Sequence, residues 1–298
     1  MAKETYEQFR VDPHSKIRLR DFDPAWAGGK QRKLREDELK LEAKEHIQRN
    51  LKRLADAQEL LYASNRYALL VVLQGMDAAG KDGMIKHVMS GLNPQGCQVF
   101  SFKQPADEEL AHDFLWRYHV RLPARGRIGI FNRSYYEEVL VLRVHPELLE
   151  KQKITPPKHG NAFWEQRYEN IVAFERHLLQ SGTVIIKLFL HISKKEQRRR
   201  LLERLEDPNK HWKFSAADIA ERAYWRDYME AYEDALNATS TKRTPWYIIP
   251  ADHKWVARSM VSEILVHNIQ KLDLQLPQMT KEQEAELAKA KRLLREDT

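Results

Sequence analysis

A chain of 298 residues is long enough to bury a substantial core as one large α/β domain, and 42% hydrophobic with 31% charged residues is the composition of a soluble protein. With 50 Lys and Arg against 43 Asp and Glu, the formal charge is +7, which suits a polyanionic partner and equally suits a mixed, mildly basic surface. One cysteine excludes an intrachain disulfide framework, no run approaches the ~18 apolar residues of a membrane span, and the amino terminus has no apolar signal segment, so a cytoplasmic protein without membrane association is expected.

Residues 1–35 are polar and broken by Pro13, Pro24 and the pair Gly28-Gly29, which predicts an extended arm with little regular structure. A long helix is predicted from about Glu36 to Ala63, with Ile47, Leu51, Leu54 and Leu61 forming one apolar stripe. Ala68 to Leu73 is a strand, and a helix running to Ser90 is stopped by Gly91. Cys97 to Phe102 is a second strand, opened by a cysteine expected to be a small core residue. A helix over Asp107–Val120, a strand at Ile128–Phe131 and a helix over Asn161–Gln180 follow. Thr183 to Ile192 is nearly continuously apolar, as a parallel strand covered on both faces should be. Helices are expected at about 193–206 and 215–236, a strand at Trp246–Ile249 and a helix at about 254–271. A charged tail, 273–298, carries a helix-forming stretch from Thr280 with Leu287, Ala290 and Leu294 on one side, suited to a peripheral helix or an oligomer contact. Trp212, Trp225 and Trp246 are expected to serve packing. Strands alternating with helices specify a doubly wound parallel α/β sheet, whose ligands gather at the carboxyl ends of the strands.

The first of those ends holds the most informative segment. Gly75-Met76-Asp77-Ala78-Ala79-Gly80-Lys81, followed by Asp82 and Gly83, has the pattern G-x-x-x-x-G-K, in which backbone N–H groups and a lysine wrap the oxygens of a polyphosphate chain. A helix opening directly behind the loop adds unpaired donors and a positive dipole end. Nucleotide triphosphatases carry Ser or Thr after the lysine; here Asp82 stands there, and Asp77 lies within the loop. A carboxylate beside a phosphate repels it unless a cation stands between them, so the pair implies bound Mg²⁺. A helix-capping role suits Asp82 equally well.

Arg133 follows the third strand, where its guanidinium can fork onto two phosphate oxygens or close a strand-end ion pair. The run Lys194-Lys195-Glu196-Gln197-Arg198-Arg199-Arg200, with Arg204, Lys210 and Lys213, is too one-sided for an ordinary solvated face, and the break at Asp207-Pro208-Asn209 is hinge-like. Asp252, Lys254 and Arg258 lie just past the last strand, with Asp252 placed to pair with a substrate-binding arginine. No RNP-like aromatic-basic run or zinc-ligand spacing supports nucleic-acid binding.

The blocks GMDAAGKDG (75–83), FNRSYYEEV (131–139), LERLEDPNKHWKFS (202–215) and PWYIIPADHKWVAR (245–258) resemble the polyphosphate kinase 2 family, over residues 40 to 272. The resemblance implies a three-layer P-loop kinase fold similar to thymidylate kinase, spanning 36–272, with a helical lid at about 194–215 that closes over the phosphate chain. It implies inorganic polyphosphate as phosphoryl donor to nucleotides such as AMP and ADP, and GMP and GDP as further acceptors. The reaction would be reversible and dependent on Mg²⁺, with Mn²⁺ as a substitute, in a homodimer or homotetramer. Lys81, Asp77, Arg133, Asn132 and Glu137 would then be catalytic. Gly75 to Gly83, Arg199, Arg200, Lys210, Lys213, Asp252, Lys254 and Arg258 would bind phosphate or nucleotide, and Asp77, Asp82 and Glu137 would hold metal. Where many relatives have FDRSWYNR this chain has FNRSYYEE, which removes a carboxylate at Asn132 and adds one at Glu137, and looks like the subgroup acting on both mono- and diphosphates. An ATP-dependent nucleoside-monophosphate kinase is the competing expectation from the same core.

Overall fold

Ala68–Gly75 (β1) is buried at every position, because strands lie on both sides of it and helices on both faces. The computed structural model describes residues 6–13, 15–28, 35–154 and 160–296. Residues 1–5, 14 and 29–34 of the expected arm lie outside them. Cys97–Ser101 (β2), Ile128–Asn132 (β3), Thr183–His191 (β4) and Trp246–Pro250 (β5) join β1 in one wholly parallel sheet of order β2-β3-β1-β4-β5. The chain therefore leaves β1 toward one side first and crosses to the other later. That reversal opens a crevice at the carboxyl end of β1, where the phosphate loop lies.

Glu36–Ser64 (α1), Lys81–Val88 (α2) and Lys254–Gln270 (α10) pack as one helical layer. Glu137–Val144 (α5), Asn161–Gln180 (α6) and Trp225–Thr239 (α9) pack as another. Along α1 the buried positions are Ala43, Asn50, Leu54, Ala57, Gln58 and Leu61. Ile47 and Leu51 of the predicted stripe are only half-buried, because the seam toward α10 is partly polar: Asn50 Nδ2 donates to Ser262 Oγ at 3.1 Å. Among the described residues no helix is long and apolar enough to cross a membrane.

Five expectations need correction. The amino-terminal arm is not merely extended: Tyr6, Phe9, Val11 and Leu19 are buried, and Val11 N–H donates to Trp246 O at 2.8 Å. The arm thereby covers the open edge of β5, which explains why β5 is buried throughout while the opposite edge strand β2 is not. The helix expected over Asp107–Val120 is two short pieces, Asp107–Leu110 (α3) and Trp116–His119 (α4). Asp113 Oδ1 accepts Leu115 N–H at 2.9 Å and His112 stacks on Trp116, which stabilises the break between them. The helix expected over 215–236 divides into Ala216–Ala220 (α8), a 3₁₀ turn at Glu221–Tyr224 and α9. Trp212 does not pack in the core; it is 79% exposed. Cys97 is half-buried rather than core, with Gln58 Nε2 donating to its sulfur at 3.0 Å, and burial pushes its thiol up to about 11. The tail forms Lys281–Glu296 (α11), exposed along its whole length.

Under the sheet lies a charged knot that no pattern announces. Lys187 of β4 and Glu175 of α6 form a wholly buried ion pair at 2.8 Å. Glu175 also accepts the hydroxyls of Tyr135 (2.9 Å), Tyr136 (2.8 Å) and Thr244 (2.9 Å), and Lys187 donates to Thr239 O at 2.8 Å. Each buried polar group thus has partners, which is the condition under which buried charge is tolerated. Burial raises both tyrosine hydroxyls well above their usual range and lowers the Lys187 ammonium.

Candidate active site

The loop Gly75–Gly80 joins β1 to α2, and its shape depends on two glycines. A Cβ at Gly75 would stand 2.9 Å from Leu190 O, and at Gly80 3.4 Å from Arg200 Nη1; both have left-handed φ, +154° and +108°. Ala78 adopts φ +61° despite its Cβ. Lys81 starts α2 nearly buried, and its Nζ donates back to Gly75 O at 2.6 Å and Met76 O at 3.2 Å. Burial, followed by the nearby Arg133 charge, lowers the Lys81 ammonium, while Asp77, Glu137 and Asp82 oppose that shift. The site therefore carries its principal cation under desolvation, poised to exchange loop carbonyls for phosphate oxygens.

Arg133 emerges from the end of β3 at φ +63°, a strained conformation for a side chain with a Cβ. It bridges two carboxylates, Asp77 at 2.6 Å and Glu137 at 3.1 Å. Glu137 foremost, with Asp77, holds the guanidinium firmly protonated. Asn132 Nδ2 donates to Asp82 Oδ1 at 2.9 Å, and its own Oδ1 is buried without a donor.

Above the loop lies Lys194–Glu206 (α7), followed by a 3₁₀ turn at Pro208–Lys213 for which Asp207 is the cap. Lys213 reaches down to Asp82 at 3.6 Å and Arg204 pairs with Asp218 at 2.9 Å. Between this helical segment and the loop is a cavity of about 850 Å³ lined by nine lysines and arginines against four carboxylates. Lys103, Lys210, Lys213, Lys254 and Arg258 belong to it, beyond the loop itself. Burial and then the Arg200 charge lower both Lys254 and Arg258. Several of these cations are paired with carboxylates, yet positive charge remains in excess along the wall, which suits a polyanion.

Two adjacent arginines part company. Arg200 is buried and donates to the backbone carbonyls of Ala78 (3.2 Å), Ala79 (2.8 Å), Ala251 (2.5 Å) and Asp252 (3.0 Å), tying the phosphate loop to the end of β5. Arg199 is 54% exposed, pairs with Glu196 and Glu203, and does not line the cavity. Arg199→Ala is expected to change stability and activity little, since exposed pairs contribute at most about 1 kcal/mol. Arg200→Ala should cost about 2–3 kcal/mol, the scale of charged hydrogen bonds lost at buried carbonyls, and should disorder the loop. Urea midpoints and steady-state rates of the two variants test this, and equal behaviour would refute the division. Asp252 meets Arg200 through its backbone oxygen, while its carboxylate accepts Ser193 N–H at 2.7 Å and so fixes the entry to α7.

Asp77, Asp82 and the orphaned Asn132 oxygen are hard oxygen donors at the cavity wall, a set that fits Mg²⁺ sharing its shell with phosphate oxygens. The three predicted carboxylates do not converge on their own: among the described residues no group of three metal-ligating side chains meets, and Glu137 is tied to Arg133 and does not line the cavity. Sequence reasoning placed Lys103 only among the polar residues marking the end of β2 and missed Asp218 as a wall residue. Lys103 had one signal, its position past the end of β2; Asp218 had none.

The sequence profile described as polyphosphate kinase 2 matches residues 37–277. The chain belongs to the polyphosphate kinase 2 family. It is 53% identical over 258 residues to an ADP-polyphosphate phosphotransferase of Rhodopseudomonas palustris, covering 85% of this chain and 89% of that one. It is 46% identical over 276 residues to an AMP/ADP-polyphosphate phosphotransferase of Meiothermus ruber, covering 91% and 96%. The crystal structure of polyphosphate kinase 2 from Arthrobacter aurescens TC1 superposes with a TM-score of 0.86 at 41% identity, over 98% of each chain. The chain thus has the α/β P-loop kinase fold, and its phosphate loop, strained Arg133 and basic α7 all fall within the matched residues.

Proposed function

We propose that this polyphosphate kinase 2 transfers the terminal phosphoryl group of inorganic polyphosphate to AMP and ADP, and to GMP and GDP, reversibly and with Mg²⁺. The observation that carries this reading is the cavity with its nine cations, which extends well beyond the loop along the lid. A donor of many phosphates can engage cations of both the loop and the segment above it. The relatives named as ADP- and AMP/ADP-polyphosphate phosphotransferases support the donor and both acceptors. Phosphoryl transfer asks mainly for position and charge neutralisation. Lys81 and the loop N–H groups hold the transferring group, Arg133 stabilises its equatorial oxygens, and Lys210 and Lys213 close over the chain. Mg²⁺, when bound, neutralises charge between the phosphates. No side chain is needed to remove a proton, because the acceptor's phosphate oxygen is already ionised at neutral pH. The exposed apolar side chains of α11, Leu287, Leu293 and Leu294, support a homodimer or homotetramer.

An acceptor panel of AMP, ADP, GMP and GDP with long-chain polyphosphate, alongside ATP as rival donor and with or without a chelator, tests the reading. Sequential AMP to ADP to ATP conversion that chelation abolishes is expected; activity with ATP as donor and none with polyphosphate would overturn it. In the same panel Glu137→Asn, which removes one of the two carboxylates gripping Arg133, is expected to lose monophosphate phosphorylation preferentially. Equal losses on AMP and ADP would make Glu137 a general positioning residue.

A further inference from the structure

At the edge of the sheet opposite the phosphate loop, where the strands begin, a cavity of about 280 Å³ lies between the end of α6 and the turn that leads from α9 into β5. Val172 and Leu179 give it an apolar wall, and Arg176, Lys242 and Arg243 line it as well, all three exposed. The turn is fixed from the core side. Thr244 Oγ1 donates to Glu175 Oε2 at 2.9 Å, and Thr244 N–H donates to Thr241 Oγ1 at 3.0 Å, with Lys242 and Arg243 between them. Glu175, the carboxylate behind the turn, is already paired with the buried Lys187. Among the described residues, none of Arg176, Lys242 and Arg243 is paired with a carboxylate.

The cavity belongs to a wider pattern. Residues 65–67, 93–96, 122–127, 181–182 and 240–245 lead into β1, β2, β3, β4 and β5. Together they carry Arg66, Arg125, Arg127, Lys242 and Arg243 and not one Asp or Glu. Arg125 donates to Ser181 O at 3.4 Å and Arg127 to Gln95 O at 2.8 Å, so backbone carbonyls hold them at this edge and leave their charge uncompensated. Cations at the carboxyl ends of α1, α6 and α9 also complement the helix dipoles, an effect confined to the last turn. Arg125 and Arg127 precede β3 and close no helix, so dipoles do not account for the whole edge. At the opposite edge, by contrast, Asp77, Asp82 and Asp218 stand among the cations.

A positive surface without carboxylates attracts phosphates by charge alone and offers no ligand set for the Mg²⁺ that phosphoryl transfer would use. No aromatic ring lines the cavity, so nucleobases find no stacking platform there. The ligand that fits is a polyanion without bases. β4 is nine residues long, which puts this edge roughly 30 Å from the phosphate loop. A tripolyphosphate bound at one edge cannot touch the other, whereas a long chain can follow the surface between them. We propose that Arg176, Lys242 and Arg243 form an anchor for the remote stretch of a long polyphosphate whose end occupies the phosphate cavity. This rests on the reading of inorganic polyphosphate as donor and adds a second point of contact to it. Anchoring makes return of the reacting end an intramolecular event and raises its local concentration. The anchor therefore acts on capture of long donors and leaves the chemical step alone.

Arg176→Glu, Lys242→Glu and Arg243→Glu combined reverse charge at three exposed positions where packing is not at stake. Lys44→Glu, Arg49→Glu and Lys52→Glu, exposed on α1, make the same change of net charge elsewhere and serve as control. Steady-state rates at saturating ADP give KM and kcat for long-chain polyphosphate and for tripolyphosphate, and calorimetric titration of the full chain gives the affinity for each without turnover. In the anchor variant KM for the long chain should rise, and its affinity fall, by about tenfold, the sum of three small exposed contributions. Its kcat should be unchanged, tripolyphosphate should stay within about twofold, and the difference from wild type should shrink at high salt. The control variant should match the wild type. Equal losses for both phosphates, the same long-chain defect in the control, or unchanged long-chain affinity in the anchor variant would overturn the anchor. Should polyphosphate support no turnover while the titrations behave as expected, the donor assignment falls and the anchor stands as a polyphosphate-binding site.

Discussion

Lys81→Ala is expected to lower turnover at least about 100-fold while leaving the protein folded, because it removes preorganised charge from the transferring phosphoryl group. Lys81 is nearly buried and directs Nζ at two loop carbonyls, Gly75 O and Met76 O. Burial already disfavours its charged form. Its loss is therefore felt in the transition state rather than in folding. Lys81→Arg should not restore activity, since the planar guanidinium is larger than the ammonium that fits under the loop. Single-turnover measurement with saturating polyphosphate and ADP, beside a urea titration, separates the two effects. Wild-type turnover in the alanine variant would remove Lys81 from the chemistry.

The largest expected effect on stability lies away from the reacting groups. Glu175→Ala should destabilise the fold by about 3–5 kcal/mol, the range for breaking one side of a buried ion pair. It leaves the Lys187 ammonium, wholly buried, with only Thr239 O and the Tyr136 hydroxyl, and strips the Tyr135, Tyr136 and Thr244 hydroxyls of their shared acceptor. Replacing both charges, Glu175→Leu with Lys187→Met, should cost less than the single change, because no unpaired charge remains. The urea midpoint should fall with an unchanged denaturant slope. A single variant no less stable than the double would show that the pair is not coupled. Tyr135 and Tyr136 stand two and three residues past Arg133, so the knot also supports the strained turn that presents Arg133 to the site.

Much of this was open to reading along the chain because it is local. A strand followed by G-x-x-x-x-G-K and a helix is a short-range pattern, and β1, the loop and α2 fall where it places them. The near-continuous apolar run became β4, and α6 begins and ends at the expected residues. The positions of Lys81, Asp77, Asp82, Asn132 and Arg133 were legible for the same reason, each at or shortly beyond the end of a strand whose direction the alternation of elements had settled. The lid's positive charge was visible as composition.

What remained depended on contacts between residues far apart in sequence, where no period or spacing acts. Arg199 and Arg200 are indistinguishable as neighbours in a basic run; the rotation of α7 above the loop sends one into four backbone carbonyls and leaves the other in solvent. Arg133 was open to a phosphate fork or an ion pair, and only the approach of Asp77 from another strand end made it a bridge between carboxylates. The arm read as extended because its prolines break regular structure, yet it is ordered by burying Tyr6, Phe9 and Val11 against β5, a gain set by the sheet edge rather than by the arm. The Lys187–Glu175 knot likewise exists only once α6 lies against the sheet. By itself the sequence determined the parallel α/β order and the position of the phosphate-loop pattern, since backbone direction and that pattern are written in a few adjacent residues. Tertiary structure alone decided which charges face the cavity and which pair with one another, because long-range packing selects among side chains that local pattern leaves equivalent.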